Sequence, residues 1–167
     1  MRRNMGQSYN QWVSILSPSE DVARTAEERL AERLARGVCR LFEDMGQAAI
    51  TEFPLASGRR VDVIALDGAG GTTIVEIKSS VMDFRSDRKW QEYLEFCDRF
   101  YFAVAPEFPK DMLPAEVGLI VADDWHGTVI RESPQLALNG SRRRAQTLRI
   151  ALTAAQRLRR FTDPRAD

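Results

Sequence analysis

This 167-residue sequence contains few of the residues from which many common protein sites are built. Its single histidine, His126, excludes metal sites made from two histidines and falls in a predicted turn between Trp125 and Gly127. Two cysteines, Cys39 and Cys97, are too few for a disulfide scaffold or a four-cysteine zinc site. Each lies in a predicted helix, where we expect a buried free thiol.

Long apolar runs are also missing. No run approaches the roughly 18 to 20 residues of a membrane helix. The arginines near the N-terminus are not followed by the apolar segment of a secretory signal. We therefore expect a cytoplasmic protein without a membrane partner. The length predicts one domain over residues 20–162, with a mobile tail over residues 1–19 and a short tail over residues 163–167.

Acidic residues are absent from residues 133–162, although the whole chain has 24 acidic and 24 basic residues. We predict a last helix here, Ser141 to Phe161. At about 100° per residue, one arc of this helix carries an arginine row: Arg142, Arg149, Arg157 and Arg160. The opposite arc is apolar and is expected to pack on the sheet: Leu148, Leu152, Ala155 and Leu158. The row predicts a surface for a DNA backbone; a solvated face paired with Glu28 or Glu32 is the alternative.

The remaining periodicities predict an α/β sandwich. A helix from near Glu20 to Gly46 carries an apolar stripe, and a second helix is expected over Asp83 to Cys97. Six segments have the composition of strands: 48–56, 61–66, 72–78, 99–105, 117–122 and 128–131. The two central strands are apolar on both faces, with Ile64 and Ile74 on one and Val63 and Val75 on the other. Such strands need covering layers on both sides.

Three charged residues on the central strands carry the chemistry: Asp62, Glu76 and Lys78. If the five residues Asp67 to Gly71 form a hairpin loop, Leu66 pairs with Thr72 and Asp62 lies opposite Glu76. Residues two apart on a strand share a face, so Lys78 lies beside Glu76. The sequence therefore predicts two carboxylates and one ammonium group on one face of a sheet.

Two adjacent carboxylates favour a divalent cation that balances their charge. Oxygen ligands suit Mg²⁺ or Mn²⁺. Such a metal near a lysine is typical of phosphodiester hydrolysis, in which the lysine orients a water or stabilises developing charge. A cross-strand salt bridge between Lys78 and one carboxylate is the alternative interpretation.

The spacing of Asp62, thirteen residues and then Glu76-Ile77-Lys78 resembles the PD-(D/E)XK motif of restriction-endonuclease-like nucleases. More closely, three segments resemble the MmcB family of DNA-repair-related proteins: ITEFPLASGRRVDVIAL, IVEIKSSVMDFRSDRKWQEYLEFCDRFYFAV and GLIVAD. The resemblance implies a restriction-endonuclease-like three-layer sandwich with a mixed central sheet, in the order α-β-β-β-α-β-β-β-α. It also implies that Asp62, Glu76 and the Ile77 carbonyl bind the metal and that Lys78 is catalytic.

Many such nucleases have a further acidic residue on the first helix. Glu27 lies on the apolar stripe of that helix but far from its end, while Glu28 and Glu32 are expected to point elsewhere. Glu52, on the preceding strand, shares the Asp62 face if the Ser57-Gly58 turn uses three loop residues. We favour Glu52 as the further catalytic carboxylate; an ion pair with Arg59 or Arg60 is the alternative.

The second helix adds two candidate DNA contacts. Lys89 and Tyr93 are four residues apart and would share a face of an α-helix, where related nucleases place a polar residue and a tyrosine. Trp90 is expected in the core. Arg85 and Arg88 are expected to pair with Asp83 and Asp87 rather than with phosphates.

Two functions follow from these features. The first is a Mg²⁺- or Mn²⁺-dependent DNA nuclease that acts in repair, with DNA as substrate and a repair protein that supplies targeting. The alternative is a non-catalytic DNA- or protein-binding module that retains the nuclease fold. The charged residues on the central strands favour the nuclease, because a binding module has no need of a metal site. The oligomeric state, including a homodimer, stays open.

Overall fold

A computed structural model describes residues 26–136 and 138–164. The predicted tail over residues 1–19 and the predicted helix start near Glu20 lie outside this part of the chain. The elements are six strands, three α-helices and two 3-10 helices: α1 (Ala26–Asp44), β1 (Ala48–Pro54), β2 (Arg60–Leu66), β3 (Thr72–Lys78), α2 (Val81–Ser86), a 3-10 helix (Trp90–Phe96), β4 (Arg99–Val104), a 3-10 helix (Lys110–Met112), β5 (Gly118–Ala122), β6 (Gly127–Arg131) and α3 (Gly140–Thr162).

The strands form one mixed sheet in the order β1-β2-β3-β4-β5-β6. Neighbouring strands are antiparallel from β1 to β3, parallel from β3 to β5 and antiparallel between β5 and β6. β1 is an edge strand that ends at Pro54, as proline without an N–H donor favours. The mixed sheet with helices on both faces confirms the predicted three-layer α/β sandwich.

One face of the sheet is covered by α1. Leu34, Val38 and Phe42 pack on Val63 and Val75 of the central strands. The C-terminus of α1 is closed by Gly46, which has a φ of 73° and donates its N–H to the Glu43 carbonyl. Met45, predicted on the buried stripe, is instead half exposed because it lies in this closing turn.

The turn between β5 and β6 also fixes α1. A Cβ at Gly37 would collide with the backbone carbonyl of Asp123, so only glycine allows this approach. Arg33 of the same helix donates to the Asp124 carboxylate at 2.6 Å. The middle of α1 is therefore held against the β5–β6 turn.

The opposite face is covered by α2, the Trp90–Phe96 3-10 helix and α3. Trp90 packs there on Phe100 and Phe102, which confirms its predicted core position. The prediction of one helix over Asp83 to Cys97 is wrong. Asp87, at the end of α2, has an extended backbone and breaks the chain into a short α-helix and a 3-10 helix.

The predicted packing of α3 is also wrong. Its apolar arc is exposed, with Leu148, Leu152 and Leu158 each more than half accessible. The helix docks by the opposite arc, where Ile150 and Gln146 are buried. Polar anchors decide this orientation: Arg143 makes a paired contact with the buried carboxylate of Asp98, at 2.6 and 2.7 Å.

In the part of the chain described here, no helix has the length and apolar character needed to cross a membrane. Cys97 is a buried free thiol, as predicted, and Cys39 is a half-buried one.

Candidate active site on β2 and β3

The loop between β2 and β3 sets the register of the site. The Asp67 carboxylate accepts hydrogen bonds from the N–H groups of Ala69 and Gly71, each at 2.8 Å. Gly70 has a φ of 82°, which favours glycine. This closed loop pairs Leu66 with Thr72, as the sequence predicted, and the ladder continues to Val63 and Val75.

The regular pairing then stops at Asp62. On the β1 side the register passes from Thr51–Val63 to Phe53–Val61, and the intervening Glu52 has a φ of 50°. On the β3 side the carboxylate of Asp62 accepts the Ile77 N–H at 2.7 Å. At this point the Asp62 side chain, instead of a backbone carbonyl of β2, accepts a hydrogen bond from β3. The Asp62 carboxylate therefore lies against β3 next to Glu76.

Glu76 is the most unusual group of the site. Glu76 is only 6% exposed, and its Oε1 atom is buried without a hydrogen-bond partner in the described structure. Burial and the neighbouring Asp62 charge together raise the pKa of Glu76 to about 9, although the Lys78 charge opposes this shift. Burial likewise raises the pKa of Asp62 to about 6, although the Ile77 N–H and Lys78 oppose this shift.

Lys78 lies beside these carboxylates and is 4% exposed. Its Nζ is 2.6 Å from Oδ2 of Asp87 and 3.9 Å from Oε2 of Glu76. Burial alone would lower the pKa of Lys78, but the hydrogen bond and charge of Asp87 outweigh it, and the net pKa is raised. Lys78 is therefore an ammonium ion at neutral pH.

The acidic partners of Lys78 were not predicted from the sequence. Asp83 and Asp87 were expected to pair with arginines, yet both face Lys78, at 3.9 and 2.6 Å. The signal was the Ser80-x-x-Asp83 pattern: Ser80 caps α2 by accepting the Asp83 N–H at 3.1 Å. Because α2 starts only three residues after Lys78, the side chains of Asp83 and Asp87 lie close to the end of β3.

A metal at this site depends on a small set of ligands. Among the described residues, no group of three or more His, Cys, Asp or Glu side chains is arranged to bind a metal. Asp62 and Glu76 provide two carboxylates, and the Ile77 carbonyl follows Glu76 directly in the chain, on the residue whose N–H binds the Asp62 carboxylate. The unpartnered Glu76 oxygen and the paired carboxylates fit a hard divalent cation.

A cavity of about 760 Å³ opens beside Asp62, between α1 and strands β1 and β2. Glu28 and Glu32 of α1 line it, so the expectation that they point elsewhere is wrong. Glu27 lies in an adjacent groove with Ser79 and Asp83. The first two turns of α1 therefore lie beside the cavity and the groove, with all three glutamates lining them. The apolar stripe of the helix did not predict this placement.

Glu52 also lines this cavity, and its charge contributes to the raised pKa of Asp62. Its carboxylate pairs with Arg60, with Oε2 and Nε 2.6 Å apart. The ion pair given above as the alternative is therefore present, and Glu52 as a catalytic group stays a prediction.

The two DNA contacts predicted after β3 are separated. Lys89 is exposed, but Tyr93 is buried, and its pKa is raised to about 12 by burial and by Glu76 and Asp87. The shared-face prediction is wrong because a 3-10 helix has three residues per turn, so residues four apart diverge.

The arginine row of α3 divides in two. Arg142 pairs with Glu95 at 3.0 Å, and Arg157 donates to the backbone carbonyls of Thr51 and Glu52. Arg149 and Arg160 are exposed and have no ion pair in the described part of the chain. Of the four arginines in the row, only these two are exposed with no hydrogen bond or ion pair to another described residue.

Comparison with known proteins places the chain among repair proteins. The family model for MmcB-like DNA repair proteins matches residues 17–165. The chain belongs to this MmcB-like family. A solved structure from Silicibacter pomeroyi, the SPO1766 protein of unknown function, is 44% identical with a TM-score of 0.78. The match covers 80% of this chain and 92% of that one. No curated protein matches the chain.

Proposed function

We propose that this MmcB-like protein is a Mg²⁺- or Mn²⁺-dependent DNA nuclease of the PD-(D/E)XK type that acts in repair. One observation carries the proposal: Glu76 is buried beside Asp62 with an oxygen that has no partner in the described structure. Keeping such an atom costs about 1 to 3 kcal/mol, and a bound cation would remove that cost.

Asp62, Glu76 and the Ile77 carbonyl would hold the metal. When bound, it would polarise a phosphate oxygen and lower the pKa of a water. Lys78 is held as an ammonium ion by Asp87, so its role is to stabilise negative charge on the phosphate rather than to accept a proton. Tyr93, buried near Glu76, limits water access on the side of the 3-10 helix.

DNA reaches this site along α3. Arg157 anchors the helix to the carbonyls of Thr51 and Glu52, on the strand next to Asp62. Arg149 and Arg160 lie on the same side of the helix and are available for phosphates. A partner repair protein would supply targeting.

The test is cleavage of branched, nicked and linear DNA with Mg²⁺ or Mn²⁺, together with Mn²⁺ binding measured by calorimetry. Glu76→Gln keeps the shape of the side chain but removes its charge. We expect it to lower cleavage at least about 100-fold and to weaken Mn²⁺ binding. Glu116→Gln makes the same change at an exposed position and should alter neither.

Two results would contradict the nuclease. The first is a wild-type protein that cuts no DNA with either ion. The second is Mn²⁺ binding that is equal in wild type and Glu76→Gln. DNA binding without cleavage or metal binding would support the alternative function, a non-catalytic binding module.

A further inference from the structure

Asp87 occupies a junction between three elements of the site. It ends α2, donating its N–H to the carbonyls of Asp83 and Phe84. Its Oδ1 accepts the N–H of Lys89, the residue that precedes the 3-10 helix, at 2.8 Å. Its Oδ2 binds the Lys78 ammonium at 2.6 Å. One carboxylate thus joins the end of β3 to the start of the segment that carries Trp90 and Tyr93.

The distances around Lys78 show what this carboxylate does. Lys78 has three acidic neighbours, and Asp87 is nearer by 1.3 Å than Glu76 or Asp83, at 2.6 against 3.9 Å. Lys78 is also almost fully buried, with the Phe102 ring 6.0 Å from its Nζ. Without Asp87, the buried ammonium would need another carboxylate, and Glu76 is as near as any.

A bond from Lys78 to Glu76 would impair the site in two ways. It would occupy Oε2 of Glu76, one of the oxygens available to a cation. It would also turn the ammonium away from the phosphate whose charge it has to stabilise. The contact with Asp87 keeps Lys78 beside Glu76 without binding it.

We propose that Asp87 is a positioning residue, which holds the Lys78 ammonium off the Glu76 carboxylate and in place for the reacting phosphate. The proposal rests on the nuclease function proposed above. Nothing in the motif Asp62…Glu76-Ile77-Lys78 requires an aspartate at this position. The role follows from the fold of α2 and the 3-10 helix around Lys78.

The test compares Asp87→Asn, Asp87→Glu and Asp87→Ala with wild type. Asparagine keeps an oxygen for the Lys89 N–H, so the chain break is preserved, but it removes the negative charge from Lys78. We expect kcat to fall about 10- to 100-fold in Asp87→Asn, with KM for DNA within about twofold of wild type. Asp87→Glu should restore part of kcat, whereas Asp87→Ala should not. Asp111→Asn is the exposed control and should leave kcat unchanged.

A second readout does not depend on activity. The chain has only three lysines, so the side-chain ammonium of Lys78 can be assigned by nitrogen-15 NMR. In wild type we expect a resolved signal, protected from exchange with water by the Asp87 bond. The signal should move or broaden in Asp87→Asn and stay unchanged in Asp111→Asn.

The outcomes separate the two proposals. An Asp87→Asn variant that keeps its kcat or its Lys78 signal overturns the positioning role. A loss of kcat that Asp87→Glu does not restore, together with an unchanged signal, reduces Asp87 to a structural residue and also overturns it. If wild type cuts no DNA, the nuclease proposal fails, and the Lys78 signal alone decides whether Asp87 holds the ammonium.

Discussion

Strand β3 and helix α3 both carry charged residues that the sequence marked as functional, but the fold uses them differently. All seven residues of β3 are buried, including Glu76 and Lys78. α3 is 23 residues long, yet Gln146 and Ile150 are its buried residues. The strand places charge where water is excluded, so Glu76 and Lys78 affect each other's pKa. The helix places charge at the surface, where salt screens it.

The two elements are also held in the fold by different kinds of contact. β3 is held by backbone ladders on both sides. α3 is held by a few specific contacts, chiefly Arg143 with Asp98 and Arg157 with two carbonyls of β1. Its outward apolar arc contributes little to folding, although it is the most hydrophobic part of the helix.

The largest expected effect separates the two arcs of α3. Ile150→Ala should lower the free energy of unfolding by about 2 to 4 kcal/mol, because it leaves a cavity in the core. Leu152→Ala, a similar truncation on the exposed arc, should change it by less than about 0.5 kcal/mol. Urea denaturation of both variants measures the difference. Equal losses would mean that the apolar arc is buried after all.

The next effect concerns the buried charge of β3. The pKa of Glu76 is raised from 4.5 to about 9, so the folded protein holds this proton more tightly than the unfolded chain. Without metal, wild type should therefore lose stability as pH rises through this window, by at most about 1.4 kcal/mol per pH unit. Asp62, with a pKa of about 6, contributes mainly at lower pH.

Thermal or urea unfolding between about pH 6.5 and 8 therefore isolates Glu76. Glu76→Gln cannot titrate, and its stability should vary less with pH over this range. Glu116→Gln should keep the wild-type slope, since this residue is exposed. Parallel pH profiles for wild type and Glu76→Gln would show that the Glu76 carboxylate is not perturbed.

The smallest effect concerns the exposed arginines. Replacing Arg149 and Arg160 together by Glu should reduce the slope of log affinity for DNA against log salt by roughly one unit per lost phosphate contact. The matched control is the single variant Arg144→Glu on the outward arc of the same helix, compared with Arg149→Glu alone, because Arg159 on that arc is paired with Asp163. An equal change in both single variants would mean that α3 contributes only general positive charge, and that no row is aligned with DNA.

The sequence was sufficient for the centre of the fold because the determining contacts are local. Five loop residues separate β2 from β3, and the turn chemistry of Asp67 and Gly70 fixes their register. Once Leu66 pairs with Thr72, the faces of Val63, Ile64, Ile74 and Val75 follow by alternation.

The periphery was not predictable in the same way, because distant polar contacts decide it. Amphipathic periodicity assigned the apolar arc of α3 to the core. The ion pair between Arg143 and Asp98, which are far apart in sequence, instead orients the helix with that arc towards solvent. The acidic partners of Lys78 were missed for a related reason. The helix break at Asp87 follows from its own side-chain bonds to Lys78 and Lys89, which no hydrophobic pattern records.

The bonds from Arg157 to Thr51 and Glu52 have a mechanical consequence. They attach α3 at the point of β1 where Glu52 adopts its positive φ and the ladder to β2 is interrupted next to Asp62. A force applied to α3 is therefore transmitted to the least regular stretch of the sheet. The helix and the cavity rim at Glu52 are mechanically coupled through this one side chain.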